Sequence, residues 1–402
     1  MRTLALYGGR PVRGDQSWPP WPVFDDEMID AVQDVLRSGK VNYWTGQACR
    51  TFEASYAEMI GSERGVAVMN GTVSLELILR AAGIGEGDEV ITTPRTFVGT
   101  ATAIVAVGAT PVFVDVDEDS QNLDPDLVVA AVGDRTRAIL PVHLAGWPCE
   151  MDALMTISGT HDLLIVEDCA QAHGATFRGR HVGSIGHAGS FSFCQDKILT
   201  TGGEGGLVTT NDEALYRAVW SLKDHGKSYE AVYEQTHPPG FRWLVDRFGS
   251  NLRMTEMQGA IGCVLINRLD AWVAARRRNA ARLIEGLSDL HALRVPIPDA
   301  DITHAYYKWY AFVRPEALAH DWTRDRIVEA IAAEGVPCFS GSCSEIYLER
   351  AFPPSLRPVE RLPVAQRLGE TSIMLTVHPT LDDAAIDDTI AAVRKVFAHA
   401  TR

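Results

Sequence analysis

The sequence predicts an α/β protein: a large domain with a mostly parallel sheet sandwiched by helices, followed by a smaller α+β C-terminal domain. Three observations carry this prediction. Short apolar runs alternate with helical stretches from Val66 to Val166, the pattern of parallel strands joined by crossovers. The turn Gly202-Gly203-Glu204-Gly205-Gly206 leads directly into the run Leu207-Val208-Thr209-Thr210, so Lys197, just before it, falls on a tight connection between two short strands. Beyond Val295-Pro296-Ile297-Pro298 the pattern changes to a smaller mixture of strands and helices. With 402 residues the chain has room for two cores. We divide it into an N-terminal arm (1–24), a large domain (25–264), and a connecting helix with the small C-terminal domain (265–402).

Composition narrows the function. The chain is 46% hydrophobic and 22% charged without biased segments, which belongs to a globular protein. A formal net charge of −15 repels nucleic acid and anionic lipid surfaces, although backbone amides can still bind a small phosphate locally. The seven cysteines are scattered and never form C-x-x-C, as expected of reduced thiols in a cytoplasmic protein. Ala101 to Val114, the most apolar region, is interrupted well short of the ~20 residues a membrane span needs.

In chain order, Gly8-Gly9-Arg10-Pro11 and Trp18-Pro19-Pro20-Trp21-Pro22 read as an extended arm, whose two tryptophans need a surface to lie on. A helix follows from Asp25 to Ser38, with Met28, Ile29, Val32 and Leu36 at helical spacing. The loop Asn42-Tyr43-Trp44-Thr45-Gly46 could line a site or pack as an aromatic turn.

Val66 to Met69, then Asn70-Gly71-Thr72, then a helical run through Leu75 and Leu79 outline a phosphate cradle. Glycine lets the backbone approach an anion, Thr72 can cap the helix, and free amides of the first turn point at the ligand. A plain strand-to-helix turn would look the same. Gly83 suits the end of that helix. Further strands at Glu89–Thr92, Pro111–Val114, Ala138–Val142 and Leu164–Val166 put Phe97, His143 and Asp168 near carboxyl ends, where ligands collect in this architecture.

Asp168 closes an otherwise hydrophobic strand and needs a partner. It could cap the next segment or hold a cationic ring nitrogen. Cys169 and His173 lack a second ligand pair at metal spacing, so no metal is expected. The glycines at 202–206 open a strand, not a helix, which disfavours a dinucleotide loop, and no G-x-S-x-G element is present. The run Arg276-Arg277-Arg278, on the predicted connecting helix with Leu265, Leu269 and Trp272, reads as a solvated face. The C-terminal part offers a strand from Tyr306 to Val313, a helix capped near Thr323, short strands near Pro337 and over Ser372–Val377, and a last helix with Ile386, Ile390, Val393 and Phe397 inward.

Taken in order, Gly71-Thr72, Phe97, Asp168 to His173, Ser192 to Lys197 and Gly249-Ser250-Asn251-Leu252-Arg253 resemble the motifs of the DegT/DnrJ/EryC1/StrS aminotransferases over most of the chain. The resemblance implies the aspartate-aminotransferase (type I) fold and a pyridoxal 5'-phosphate enzyme that aminates keto-sugars or keto-cyclitols. It implies that Lys197 forms the Schiff base and then carries the proton between the donor's α-carbon and the cofactor's C4′. Asp168 would pair with the pyridine nitrogen, Phe97 would stack on the ring, and Gln171 would lie near the phenolic oxygen. Gly71, Thr72 and Ser192 would bind the phosphate. Asn251 would reach that phosphate from the neighbouring subunit, which implies a homodimer with shared active sites.

Asp196, Ile198 and Trp147 depart from the family's commonest wording, but the lysine is kept where related sugar dehydratases use histidine. Tyr43, Trp147 and Tyr307 are candidates for the acceptor site, each with packing as its alternative. The expected reaction moves the amino group of glutamate or glutamine to a nucleotide-linked keto-sugar. The alternatives are a keto-cyclitol acceptor, or a non-catalytic regulatory protein, against which the intact Lys197 and Asp168 argue.

Overall fold

The computed structural model describes residues 3–14, 16–236, 240 and 242–401, so residues 1, 2 and 15 of the expected arm lie outside it. Its centre is a seven-stranded sheet in the spatial order Arg64–Val68, Gly206–Thr210, Ala188–Ser192, Leu164–Asp168, Thr136–Leu140, Glu89–Thr92 and Thr110–Phe113. Gly206–Thr210 runs antiparallel to both neighbours, and the remaining pairings are parallel. This is the α/β sheet that the alternation predicts.

Alternate side chains of each strand serve opposite faces. Val66, Val90, Leu140 and Val166 share one core with Ile78 of helix Gly71–Ala81 and Trp220 of helix Glu213–Lys223. Their strand neighbours Ile91, Ile139 and Ile165 share another with Met151 and Leu154 of helix Met151–His161. Each such side chain, fully buried, contributes roughly 1.5–3 kcal/mol, so both faces must be covered. Covering both faces leaves the strand ends as the open surface.

A second, antiparallel sheet has the order Leu293–Arg294, Trp309–Val313, Ser372–Leu375, Cys338–Phe339. Helices Arg324–Ala333 and Asp383–Ala400 share its core, with Thr323 capping the former through its side chain. Leu265 and Leu269 do not share one helix. Glu256–Ile266 ends at Asn267, and the connecting helix begins afresh as Leu269–Leu287. The first helix is fixed by a capping box between Thr255 and Gln258.

The arm is partly coiled rather than extended, with a 3-10 turn at Ala5–Tyr7. Leu4 is buried in the C-terminal core, and the amides of Ala5 and Val12 donate to the Glu334 carboxylate at 2.8 and 3.0 Å. Arg13 pairs with Asp388 at 3.0 Å, and Lys395 donates to the carbonyl of Arg10 at 3.0 Å. Trp21 then lies against Trp272, His378 and Arg276. The tryptophans have the surface they need.

The arginine run is split by helical geometry. Arg277 and Arg278 are exposed as expected, whereas Arg276 is 1% exposed and donates to the carbonyls of Tyr306 and Tyr307 at 3.4 and 3.2 Å. Steps of about 100° per residue turn one position of three inward. Among the described residues, no helix is long and apolar enough to cross a membrane.

Candidate active site

The carboxyl ends of the central strands open into a cavity of about 790 Å³. Gly71, Thr72, Phe97, Asp168, Gln171, Ser192, Lys197 and Tyr307 all line it, although they come from five separate stretches of sequence. Tyr43, Trp147 and Asn251 do not.

Asp168 is the last residue of its strand and 5% exposed. Thr100 Oγ1 donates to one carboxylate oxygen at 2.9 Å, and the amide of Ala170 to the other at 3.1 Å. Burial pushes its carboxyl above the usual value, against the pull of those two donors and of Lys197. No ion pair reaches it among the described residues, so a cationic ring nitrogen would meet an unneutralised acceptor.

Lys197 lies on the connection between strands Ala188–Ser192 and Gly206–Thr210, as the glycine turn predicts. Its backbone is held at both ends. The amide donates to the carbonyl of Cys194 at 3.1 Å, and its own carbonyl accepts the Trp21 indole N–H at 3.1 Å. Its Nζ lies 4.9 Å from the centroid of the Tyr307 ring. The Tyr307 hydroxyl donates to Asp196. Burial raises the Asp196 carboxyl, but Lys197, that hydroxyl and Lys308 outweigh it and hold the group below its usual value.

The helix Gly71–Ala81 points its first turn at the cavity. Its cap is Asn70, not Thr72: the Asn70 side chain accepts from the amide of Val73 at 2.9 Å. Thr72 sits inside the first turn, which frees its hydroxyl and leaves its amide and that of Gly71 without intrahelical partners. A Cβ on Gly71 would lie 2.6 Å from Cβ of Ser192, so only glycine lets this turn close on the strand end. A fully buried histidine holds that end in turn. His173 Nε2 donates to the carbonyl of Ser192 at 2.8 Å, and Nδ1 accepts from Tyr56 at 2.7 Å.

Phe97 is 69% exposed at the mouth, and Gln171 uses its Oε1 to accept from the amide of Ala145 at 2.8 Å. Tyr43 is 3% exposed, donates to Glu53 at 3.2 Å and carries the Lys223 ammonium 3.5 Å from its ring centroid. It is a packing residue. Trp147 is half-buried, with its ring 5.4 Å from that of His304, and likewise packs away from the cavity. Asn251 is exposed beside Asp224.

The sequence gives no sign of Thr100 or Tyr310 as lining residues, or of Arg276 holding the backbone of Tyr306 and Tyr307 behind the cavity wall. Its one signal for Lys308, a further lining residue, is adjacency to Tyr307. His143, Glu167 and Cys169 also cluster, with possible ligand atoms within 4.8 Å. These atoms are engaged otherwise: His143 bonds Glu167 at 3.0 Å and the amide of Cys149 at 2.9 Å, while Glu167 also takes the amides of Gly183, Ile185 and Gly186.

Comparison with known proteins agrees with this geometry. An aminotransferase from Psychrobacter cryohalolentis, known from its X-ray structure, superposes with a TM-score of 0.93 at 54% identity, covering 94% of this chain and 98% of that one. A dTDP-3-amino-3,4,6-trideoxy-alpha-D-glucose transaminase of Micromonospora megalomicea subsp. nigra is 37% identical over 92% of this chain and 95% of its own. An L-glutamine:2-deoxy-scyllo-inosose aminotransferase of Micromonospora echinospora is 34% identical over 99% of both chains. The architecture is the type I fold of pyridoxal-phosphate-dependent aminotransferases. The family model of the DegT/DnrJ/EryC1/StrS aminotransferases matches residues 22–394, and the chain belongs to that family.

Proposed function

We propose that this aminotransferase moves the amino group of glutamate or glutamine to a nucleotide-linked keto-sugar, with pyridoxal 5'-phosphate held in the cavity. The residues present fit that cofactor. A helix first turn with free amides at Gly71 and Thr72, closed against Ser192 with no room for a Cβ, suits a phosphate. The buried, unneutralised Asp168 suits a protonated pyridine nitrogen, and the exposed face of Phe97 suits an aromatic ring. When bound, the cofactor supplies an electron sink that stabilises the carbanion left at the donor's α-carbon.

The chain's own groups do the rest. Lys197 Nζ would supply the amine that holds the cofactor covalently and would take the proton from the donor's α-carbon. Asp168 keeps the ring nitrogen charged. The bond of Tyr307 to Asp196 and that of the Trp21 N–H to the Lys197 carbonyl both support the lysine's connection. The net exchange is an amino group for a carbonyl oxygen, with the donor leaving as its 2-oxo acid.

The observation that carries this reading is that Lys197 and Asp168 face one cavity. Lys197→Ala should abolish release of 2-oxo acid while leaving the protein folded. Undiminished turnover would end the proposal.

A keto-cyclitol acceptor is favoured by the relative acting on 2-deoxy-scyllo-inosose, which aligns over 99% of both chains. Feeding amino-loaded enzyme with nucleotide-linked keto-sugars and cyclitol ketones separates the two readings by which class accepts the amine. We further propose a homodimer in which Asn251 serves the partner's phosphate site. Its exposure, and that of the neighbouring Val245 and Phe248, supports this reading.

A further inference from the structure

Lys308 is a second amine in the same cavity. It immediately precedes the strand Trp309–Val313, and its side chain is 18% exposed. Its Nζ lies 4.7 Å from the centroid of the Tyr307 ring, and Lys197 Nζ lies 4.9 Å from that same centroid. Both amines thus lie close to one aromatic ring. Burial lowers the Lys308 ammonium from its usual value, and Asp196 only partly offsets this.

Its carboxylate partner is distant. Asp196 Oδ2 is 3.8 Å away, well beyond the roughly 2.7–2.9 Å of a charge-assisted hydrogen bond. Asp196 instead takes the Tyr307 hydroxyl as its close partner. A mostly buried ammonium with three donors, one long carboxylate contact and one aromatic face is under-compensated. An arriving carboxylate would restore the balance.

Amino transfer from an amino acid brings such a group to this place. The carbon that loses its proton to Lys197 carries a carboxylate, which enters the cavity with the amine and must be desolvated there. Of the residues described as lining the cavity, only Lys197 and Lys308 carry a positive charge, and Lys197 is committed to the cofactor. We propose that Lys308 binds the α-carboxylate of the amino donor and so determines which amines the enzyme accepts. The proposal rests on the amino-donor reading given under Proposed function.

The test compares wild type with Lys308→Met and Lys308→Arg. L-Glutamate, L-glutamine and 4-aminobutyrate, which lacks the α-carboxylate, serve as donors, and binding of 2-oxoglutarate is followed by calorimetry. Lys308→Met should raise the donor KM and the 2-oxoglutarate Kd at least about tenfold, the scale of one lost charge-assisted bond. The preference for glutamate over 4-aminobutyrate should collapse. Lys308→Arg should recover most of the loss, while melting temperature and the acceptor KM stay unchanged. An unchanged 2-oxoglutarate Kd, or a rise in the acceptor KM alone, would overturn the proposal. A wild type that releases 2-oxo acid beside a Lys308→Met variant that matches it overturns only this inference. A wild type inert with every amino donor overturns the donor reading as well.

Discussion

Asp168 and Lys197 sit 29 positions apart in sequence and face one cavity, yet their supports differ in kind. The role proposed for Asp168 depends on charge. Asp168→Asn keeps its shape and removes the charge, so turnover should fall on the order of 10²-fold, with protein stability little changed; single-turnover kinetics with glutamate would measure it. The buried histidines make a separate expectation. Burial lowers His173, His304 and His378 to about 3, from an ordinary 6.5. Below pH 6.5 the unfolded chain binds protons that the folded chain refuses. Their contribution is therefore complete above 6.5 and declines toward pH 3, by up to about 1.4 kcal/mol per pH unit for each histidine. Urea unfolding between pH 7.5 and 4.5 should show that slope, and His173→Gln should make it shallower. At this scale the sequence was legible where chemistry is local: Lys197 beside its glycines, Asp168 at a strand end. It was not legible for Tyr43 and Trp147, because an aromatic in a polar loop has the same local pattern whether it lines a cavity or packs beneath one. Arg276 was hidden in a run whose other two members do face solvent.

The element that shapes the proposed phosphate end is the helix Gly71–Ala81, and its start depends on Asn70. Asn70→Ala should cost about 1 kcal/mol in urea unfolding, the usual loss on removing such a cap, and should weaken cofactor binding by the apoprotein. Strand order, by contrast, has no such single determinant; it follows from alternating side chains that need cover on both faces. That alternation made the sheet readable from sequence. The cap was misread because Asn70, Gly71 and Thr72 are consecutive residues, and either polar one could begin a helix; the geometry of the Val73 amide decides for Asn70. The break at Asn267 escaped notice because Leu265 and Leu269 keep helical spacing across it. A two-residue interruption leaves apolar spacing intact.

At the scale of the whole molecule, one tie joins the N-terminal arm to the site: the bond from Trp21 to the carbonyl of Lys197. Trp21→Phe would retain an aromatic surface against Trp272 and His378 but lose the N–H. We expect a loss of about 0.5–1.5 kcal/mol, and faster hydrogen exchange in the connection around Lys197. The need of the arm's tryptophans for a surface was apparent from the sequence, but which surface was not, since contacts across 176 positions leave no periodic trace. The arm's anchors carry a further consequence, in the order of synthesis. Arg10 and Arg13 are the first of these groups to leave the ribosome, and their partners, Lys395 and Asp388, are among the last. Until the final helix emerges, the arm has its contacts with Glu334, Trp272 and Arg276 but lacks these two anchors. A nascent chain can finish most of its central sheet before Asp388 and Lys395 emerge, and the fully anchored arm waits for them.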